Sequence, residues 1–194
     1  MKRKPNNPIT SIRTKQGDGG KTFYKGEMIY KNSPVIEFLG NLDEACSTLS
    51  SITFNENMHD EWRMLRKNKH SIDSETFLHK SKIILFVIGG LVYTDSVTFE
   101  NNIHLLDNYV EEVTEYIELF LAKVPLQELK GFIVPSKINS EVMVSRSVVR
   151  RTERSAVTAN CLWAVPALNT MSDFLFAISW YLGVGYQWTG FNNV

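Results

Sequence analysis

The sequence predicts an all-α protein, a bundle of five helices entered through an N-terminal loop. Three observations carry that expectation. Apolar residues recur in steps of three and four over most of the chain, the mark of helices with one buried stripe. No segment alternates apolar and polar residues for long enough to seed a sheet. The composition is that of an ordinary globular protein, with 43% hydrophobic and 22% charged residues and only 11 Gly and 6 Pro in 194, which excludes disordered, collagenous and repeat chains. One domain over residues 1–194 is long enough to bury a sizeable core. It divides into a loop segment (1–34), a helical bundle (35–183) and a tail (184–194).

Residues 1–34 show no sustained period and are punctuated by Gly17, Gly19, Gly20 and Gly26, so they read as a loop region. Val35, Leu39, Leu42, Cys46 and Leu49 then mark one face of a first helix, residues 35–51. The polar stretch 55–73 is expected to be a mobile connection. A second helix over 74–93 is apolar nearly all round at residues 83–88 and is expected in the interior; its apolar run is about half the ~20 residues of a membrane span. Ile103, Leu106, Val110, Val113, Ile117, Phe120 and Val124 form a coiled-coil-like seam on the third. Pro125 and the segment 131–135 break it, and a fourth helix starts near Asn139 or Ser140, either of which suits an N-cap. Leu168, Met171, Leu175, Ile178 and Leu182 line the fifth, after Pro166.

Charge excludes further classes. With 21 Lys and Arg against 21 Asp and Glu, no basic excess points to nucleic acid and no acidic excess to a disordered tail. Cys46 and Cys161 show no zinc or disulfide spacing and read as reduced thiols of a cytoplasmic protein. No apolar stretch follows the basic start, which argues against a secretory signal, while the lack of acidic residues before Asp18 leaves room for a short transit segment.

The informative run is Val144-Ser-Arg-Ser-Val-Val-Arg-Arg-Thr-Glu-Arg154 in the fourth helix. At about 100° per residue, Arg146, Arg150, Glu153 and Arg154 share one face and border the stripe of Val142, Val149 and Ala156. A solvated face with i,i+4 pairs is the default for such a run. Yet three stacked arginines repel, and Glu153 alone cannot compensate them. Arginine presents planar, multi-donor contacts to phosphate oxygens, so a small polyphosphate is the matching ligand. The loop Thr14-Lys-Gln-Gly17-Asp18-Gly19-Gly20-Lys21-Thr22 adds glycines that let backbone N–H groups turn toward a phosphate. It is not a Walker loop, because that spacing requires glycine where Lys15 stands; taken alone, a flexible surface turn explains it as well.

Four segments then follow one another: residues 14–22; Tyr30-Lys31-Asn32 with Gly40-Asn41-Leu42-Asp43-Glu44; Phe132-Ile133-Val134-Pro135 leading into residues 146–154; and Asn169-Thr170-Met171-Ser172-Asp173-Phe174-Leu175-Phe176. In this order the chain resembles the PduO-type ATP:cob(I)alamin adenosyltransferases over nearly its whole length. The resemblance implies a ferritin-like bundle forming a homotrimer with sites between subunits. It implies transfer of the 5′-deoxyadenosyl group of ATP to reduced cobalamin, with Mg²⁺ and release of triphosphate.

Carried onto this chain, the resemblance assigns Thr14, Gly17, Asp18, Gly19, Gly20, Lys21, Thr22 and Lys31 to the ATP phosphates. Arg146, Arg150, Glu153 and Arg154 join them from the fourth helix and Asn169 and Asp173 from the fifth, with Arg146, Arg150, Glu153 and Asp173 as the catalytic set. Asp43, pairing with Arg146 across the subunit boundary, Phe86, and Phe132, which displaces the lower axial ligand of cobalt, fall on the corrin side. No protein residue is singled out for the metal. Co(I) is itself the nucleophile, so His59, His70, His79 and His104 read as structural or surface residues. A reductase and an adenosylcobalamin-dependent enzyme are implied partners; nucleic acid and membrane are not.

The chain departs from the family at Ser136-Lys137-Ile138, where Gly-Gly-Ser is usual, at Thr170 and Trp180, where arginines are common, and at Met143, where His is frequent. These departures keep a second reading open, a carrier or sensor that binds ATP or adenosylcobalamin without turnover.

Overall fold

Pro34 opens the first helix because it has no N–H to leave unpaired at the first turn. The computed structural model of the chain describes residues 17–52, 74–94, 96–122, 132–133, 140–182 and 187–188. The expected connection at 55–73, the break at Pro125, Asn139 and the 136–138 departure lie outside them. Helix α1 (Pro34–Ser51) starts with the N–H groups of Ile36 and Glu37 both bonded to Ser33 O at 3.0 Å. Helices α2 (Ser74–Tyr93), α3 (Ser96–Asn102), α4 (His104–Leu121), α5 (Ser140–Thr158) and α6 (Val165–Leu182) follow. The five long helices match the expected five. The third is preceded by the short α3, which was not foreseen.

A Schellman turn ends α5. Asn160 adopts φ 58°, its N–H bonds Val157 O at 3.0 Å, and the Cys161 N–H reaches Ala156 O at 2.8 Å. Asparagine tolerates this left-handed position better than most residues. A 3₁₀ turn (Leu162–Ala164) then leads into α6, which packs along α5.

Helix α5 also packs against α1, α2 lies beside α1, and α6 lies against α4. The core is a continuous cluster in which Phe38, Leu49, Ile88, Val149, Leu168, Met171, Phe174 and Leu175 are fully buried. The Phe77 and Phe174 rings meet at 3.6 Å between centroids and join α2 to α6. Lys80 reaches Glu112 at 2.6 Å, and Ser81 shares a 3.0 Å hydrogen bond with Tyr109, tying α2 to α4.

Hydroxyls placed among the apolar positions of α5 set its register on α1. Ser145 Oγ donates to Thr48 O and Thr152 Oγ1 to Asn41 O, both at 3.0 Å. Arg151 pairs with Glu44, and its Nε donates to Asn41 Oδ1 at 3.2 Å. Asn41 is 6% exposed, and Asn41→Ala, which removes its hydrogen bond with Arg151, is expected to cost about 0.5–1.5 kcal/mol, measurable by urea denaturation.

Three expectations are corrected. Residues 21–30 are not loop but a hairpin, β1 (Lys21–Tyr24) with β2 (Glu27–Tyr30), Tyr24 opposite Glu27. Lys25 and Gly26 turn it with φ of 46° and 91°, the paired positive values of a primed turn. Its strands are only 4 residues each, too short for a period-two search to register. A second two-stranded pair, β3 (Phe132–Ile133) with β4 (Gln187–Trp188), brings the tail onto the Phe132 segment.

Helix α2, finally, is not interior all round, because Phe86 is 70% and Ile83 45% exposed. Over Thr76–Tyr93 it is long and apolar enough to cross a membrane by length and composition, a longer stretch than the apolar run alone suggested. Its other face, with Phe77, Leu85, Ile88 and Leu91, belongs to the bundle core.

Candidate functional site

Helix α5 delivers the arginines as the helical spacing requires. Val142, Val149 and Ala156 are buried in the core, Arg146 and Glu153 beside them are half-buried, and Arg150 and Arg154 are exposed. Arg146 is the pivot. Its guanidinium carbon lies 5.0 Å from the centroid of the Phe176 ring on α6, and its Nε is buried with no hydrogen-bond partner among the described residues. Desolvation pulls this guanidinium below the ordinary arginine range, the neighbouring Arg150 charge pulls the same way, and Asp173 opposes both. The repulsion expected between stacked arginines is therefore present. Asn169 Nδ2 donates to Asp173 Oδ2 at 3.1 Å, so α6 presents Asn169, Asp173 and Phe176 at steps of four and three, one helical face.

A second cluster forms at the open end of the hairpin. The Gly20 N–H bonds Gly17 O at 3.2 Å and the Lys31 N–H bonds Gly20 O at 2.9 Å, with Gly20 at φ 74°. A Cβ on Gly17 would lie 2.8 Å from Lys31 Nζ, so the absent side chain leaves the lysine room beside the loop. Gly17→Ala would displace only the flexible end of Lys31. The expected result is a stability change within about 0.5 kcal/mol, measured by thermal unfolding. Asp18 and Gly19 are exposed and Thr22 half-buried in β1. The Lys21 ammonium sits 4.7 Å over the Tyr30 ring. At the other end the hairpin is fastened by Tyr24 Oη donating to Val92 O at 3.0 Å and Lys25 Nζ to Thr94 O at 3.3 Å.

A third cluster lies between α1 and α2, where Leu39, Leu42, Asp43, Cys46, Leu85 and Phe86 line a groove of about 280 Å³ that continues to Gly89 and Tyr93. Asp43 and Phe86, both assigned to the corrin side, thus share one surface. Thr14 and the side chain of Phe132 are outside the described residues. Trp180, at a position where an arginine was common, is 2% exposed and belongs to the core. His79 and His104 are exposed, in line with their surface assignment. Two contributors escaped sequence reasoning. Phe176, one of a run of apolar residues on α6, carried no signal of its contact with Arg146, and Arg151, off the face of the stripe, carried none of its pairing with Glu44 and Asn41.

The family model for cobalamin adenosyltransferases matches residues 12–182. The chain belongs to that family. It is an enzyme of adenosyl transfer from ATP to a corrinoid. As a member of the cobalamin adenosyltransferases it is 29% identical, over 173 residues, to the corrinoid adenosyltransferase of Bacillus subtilis (strain 168), covering 86% of this chain and 83% of the relative. An arginine-to-lysine variant of a PduO-type ATP:co(I)rrinoid adenosyltransferase from Lactobacillus reuteri, complexed with ATP, superposes with a TM-score of 0.67 at 25% identity, covering 89% of this chain and 94% of that one. A phenylalanine-to-alanine variant of the Lactobacillus reuteri enzyme, complexed with cobalamin and ATP, shares the fold with a TM-score of 0.60 at 23% identity over 89% and 93% of the two chains.

Proposed function

We propose that the arginine stripe of α5 and the loop cluster of Gly17, Gly20 and Lys31 bind the triphosphate of ATP, and that the groove holding Asp43 and Phe86 belongs to the corrin side. The observation that carries this reading is Arg146, a charged group held on an aromatic face with a buried donor unspent. The neighbouring Arg150, exposed on the same helix, supplies a second charge.

In the reaction, the cobalt of reduced cobalamin attacks C5′ of ATP with its own electron pair. The Co–C bond forms as the C5′–O bond breaks, and that bonding pair leaves on the triphosphate. The chain needs no nucleophile or general base for this. Its work is to orient the triphosphate and stabilise the negative charge that grows on the leaving oxygen. Arg146, Arg150, Arg154 and Lys31 do so best where water is scarce, since preorganised charge acts most strongly there. Asn169 and Asp173 support the stripe from α6.

No group of three or more His, Cys, Asp or Glu that could hold a metal occurs among the described residues. A nucleotide-borne Mg²⁺ fits that donor set, because Mg²⁺ binds through one or two carboxylates together with phosphates and water. Glu153, the half-buried carboxylate within the stripe, would hold it, and the charge neutralisation it supplies would add to that of the arginines.

The exposed apolar residues Ile83, Phe86 and Tyr93 on the α2 face support a homotrimer, in which a second subunit covers them and brings its Arg146 to Asp43. Two free thiols, Cys46 and Cys161, suit a cytoplasmic setting with a reductase supplying Co(I). The test is ATP-dependent conversion of chemically reduced cobalamin to adenosylcobalamin, followed by the corrin absorption spectrum. Conversion is expected. Folded protein that binds both ligands tightly without conversion would instead be a carrier.

A further inference from the structure

The hairpin that carries the glycine loop at one end is clasped to the bundle at the other. We propose that Tyr24 is a positioning residue for ATP, its hydroxyl fastening the turn end of the hairpin to the last turn of α2 and so holding Gly17, Gly20 and Lys31 in place at the open end. The inference rests on the reading that this loop binds the ATP phosphates.

The two ends of the hairpin are held in different ways. At the open end the chain runs directly into α1, where the Ser33 N–H bonds Tyr30 O at 3.0 Å, and the Lys31 N–H is tied to Gly20 O. Four cross-strand pairs follow, from Lys21 opposite Tyr30 to Tyr24 opposite Glu27. Cross-strand partners share a face, and the face of Phe23, Met28 and Tyr30 is exposed, so it gives the hairpin no hold on its own bundle. Among the described residues of the hairpin, Tyr24 is the one that packs against the core cluster, with its ring 5.1 Å from that of Tyr93. A cavity of about 460 Å³, lined by Tyr24, Lys25, Val92, Thr94, Phe99 and Trp163 among others, adjoins the turn. The turn end therefore depends on its hydrogen bonds.

Those bonds go to a place that needs donors. The last carbonyls of a helix have no partner within it. Tyr24 Oη donates to one of them, Val92 O, at 3.0 Å, and Lys25 Nζ donates to Thr94 O, just past the helix, at 3.3 Å; a cation is favoured there by the helix dipole. Burial, with Cys161 and Tyr93 adding to it, pushes the Tyr24 phenol above its ordinary range, so the hydroxyl keeps its proton to donate at neutral pH. Without this bond the hairpin keeps one fixed end and pivots about it. Apparent affinity then falls with the fraction of molecules in which the loop is correctly placed.

The test is the steady-state kinetics of Tyr24→Phe, which retains the ring and removes the donor. KM for ATP is expected to rise about 2- to 12-fold, the shift that one hydrogen bond of about 0.5–1.5 kcal/mol imposes between docked and undocked hairpins, while kcat at saturating ATP is kept. Adding Lys25→Met is expected to raise KM further. A merely structural role would shrink the folded fraction, lowering kcat at unchanged KM; that outcome overturns the proposal.

Amide hydrogen exchange gives a second readout that needs no turnover. Exchange at Gly20 and Lys31 is expected to quicken in Tyr24→Phe while Val149 and Met171 in the core stay protected, and unchanged protection at the hairpin overturns the clasp. Lys31→Ala separates the two readings. If it raises KM for ATP and Tyr24→Phe does not, the clasp has failed; if neither variant moves KM, the ATP reading of the loop has failed and the proposal with it.

Discussion

Arg150→Ala lowers turnover by at least ~10²-fold, the usual effect of deleting one preorganised charge contact at a developing anion, and leaves the bundle folded. Arg150 is exposed on α5 and stands close enough to Arg146 to depress its proton affinity. The two charges oppose each other in the free protein, and on the proposed reading a bound triphosphate would relieve both. Removing one should thus reduce catalysis without reducing stability, and Arg146→Ala should behave alike. The measurement is steady-state conversion of reduced cobalamin beside a thermal unfolding curve. Near-normal turnover in both variants would reduce the stripe to a solvated face. Arg151→Ala is the internal contrast, because its partners Glu44 and Asn41 are on α1 and its loss falls on stability.

Phe174→Ala costs about 3–5 kcal/mol of folding stability, as for emptying a buried aromatic site. Phe174 is fully buried, and its ring meets Phe77 of α2, so the cavity opens between two helices that meet in the core. Neither helix can collapse into it freely, since α6 is also held by α5 and α4. For a chain of this length the loss lowers Tm by roughly 6–20 °C, measured by calorimetry at fixed protein concentration because self-association shifts apparent stability. A drop below 3 °C would mean the two rings do not share a packed core.

The long helices were legible because burial imposes a period that needs no partner to be recognised. Val142, Val149 and Ala156 on α5, and Leu168, Met171, Leu175 and Ile178 on α6, are the buried residues that their spacing predicts. The hairpin was not legible, because two 4-residue strands offer too few positions to display a period; the sign was local, a Lys-Gly pair between Thr22-Phe23-Tyr24 and Met28-Ile29-Tyr30. The exposure of Phe86 and Ile83 was hidden for the opposite reason. An apolar residue on a helix carries the same signal whether it faces the core of its own chain or an open groove.

For the site, the amino-acid order alone determined that Arg146, Arg150, Glu153 and Arg154 share one face beside the core, since helical geometry dictates it. The same order placed Gly17 and Gly20 in a glycine-rich loop that suits a phosphate or a plain surface turn equally well, and only the resemblance added Lys31 to it. Which arginine is free was a different matter. Arg150 and Arg151 are neighbours in the chain and alike in chemistry, and only the docking of α1 commits Arg151 to Glu44 and Asn41. Only the return of α6 along α5 places the Phe176 ring against Arg146. Spacing on one helix specifies directions, whereas the partner met in each direction depends on how a second helix is packed, and that is decided by the tertiary structure.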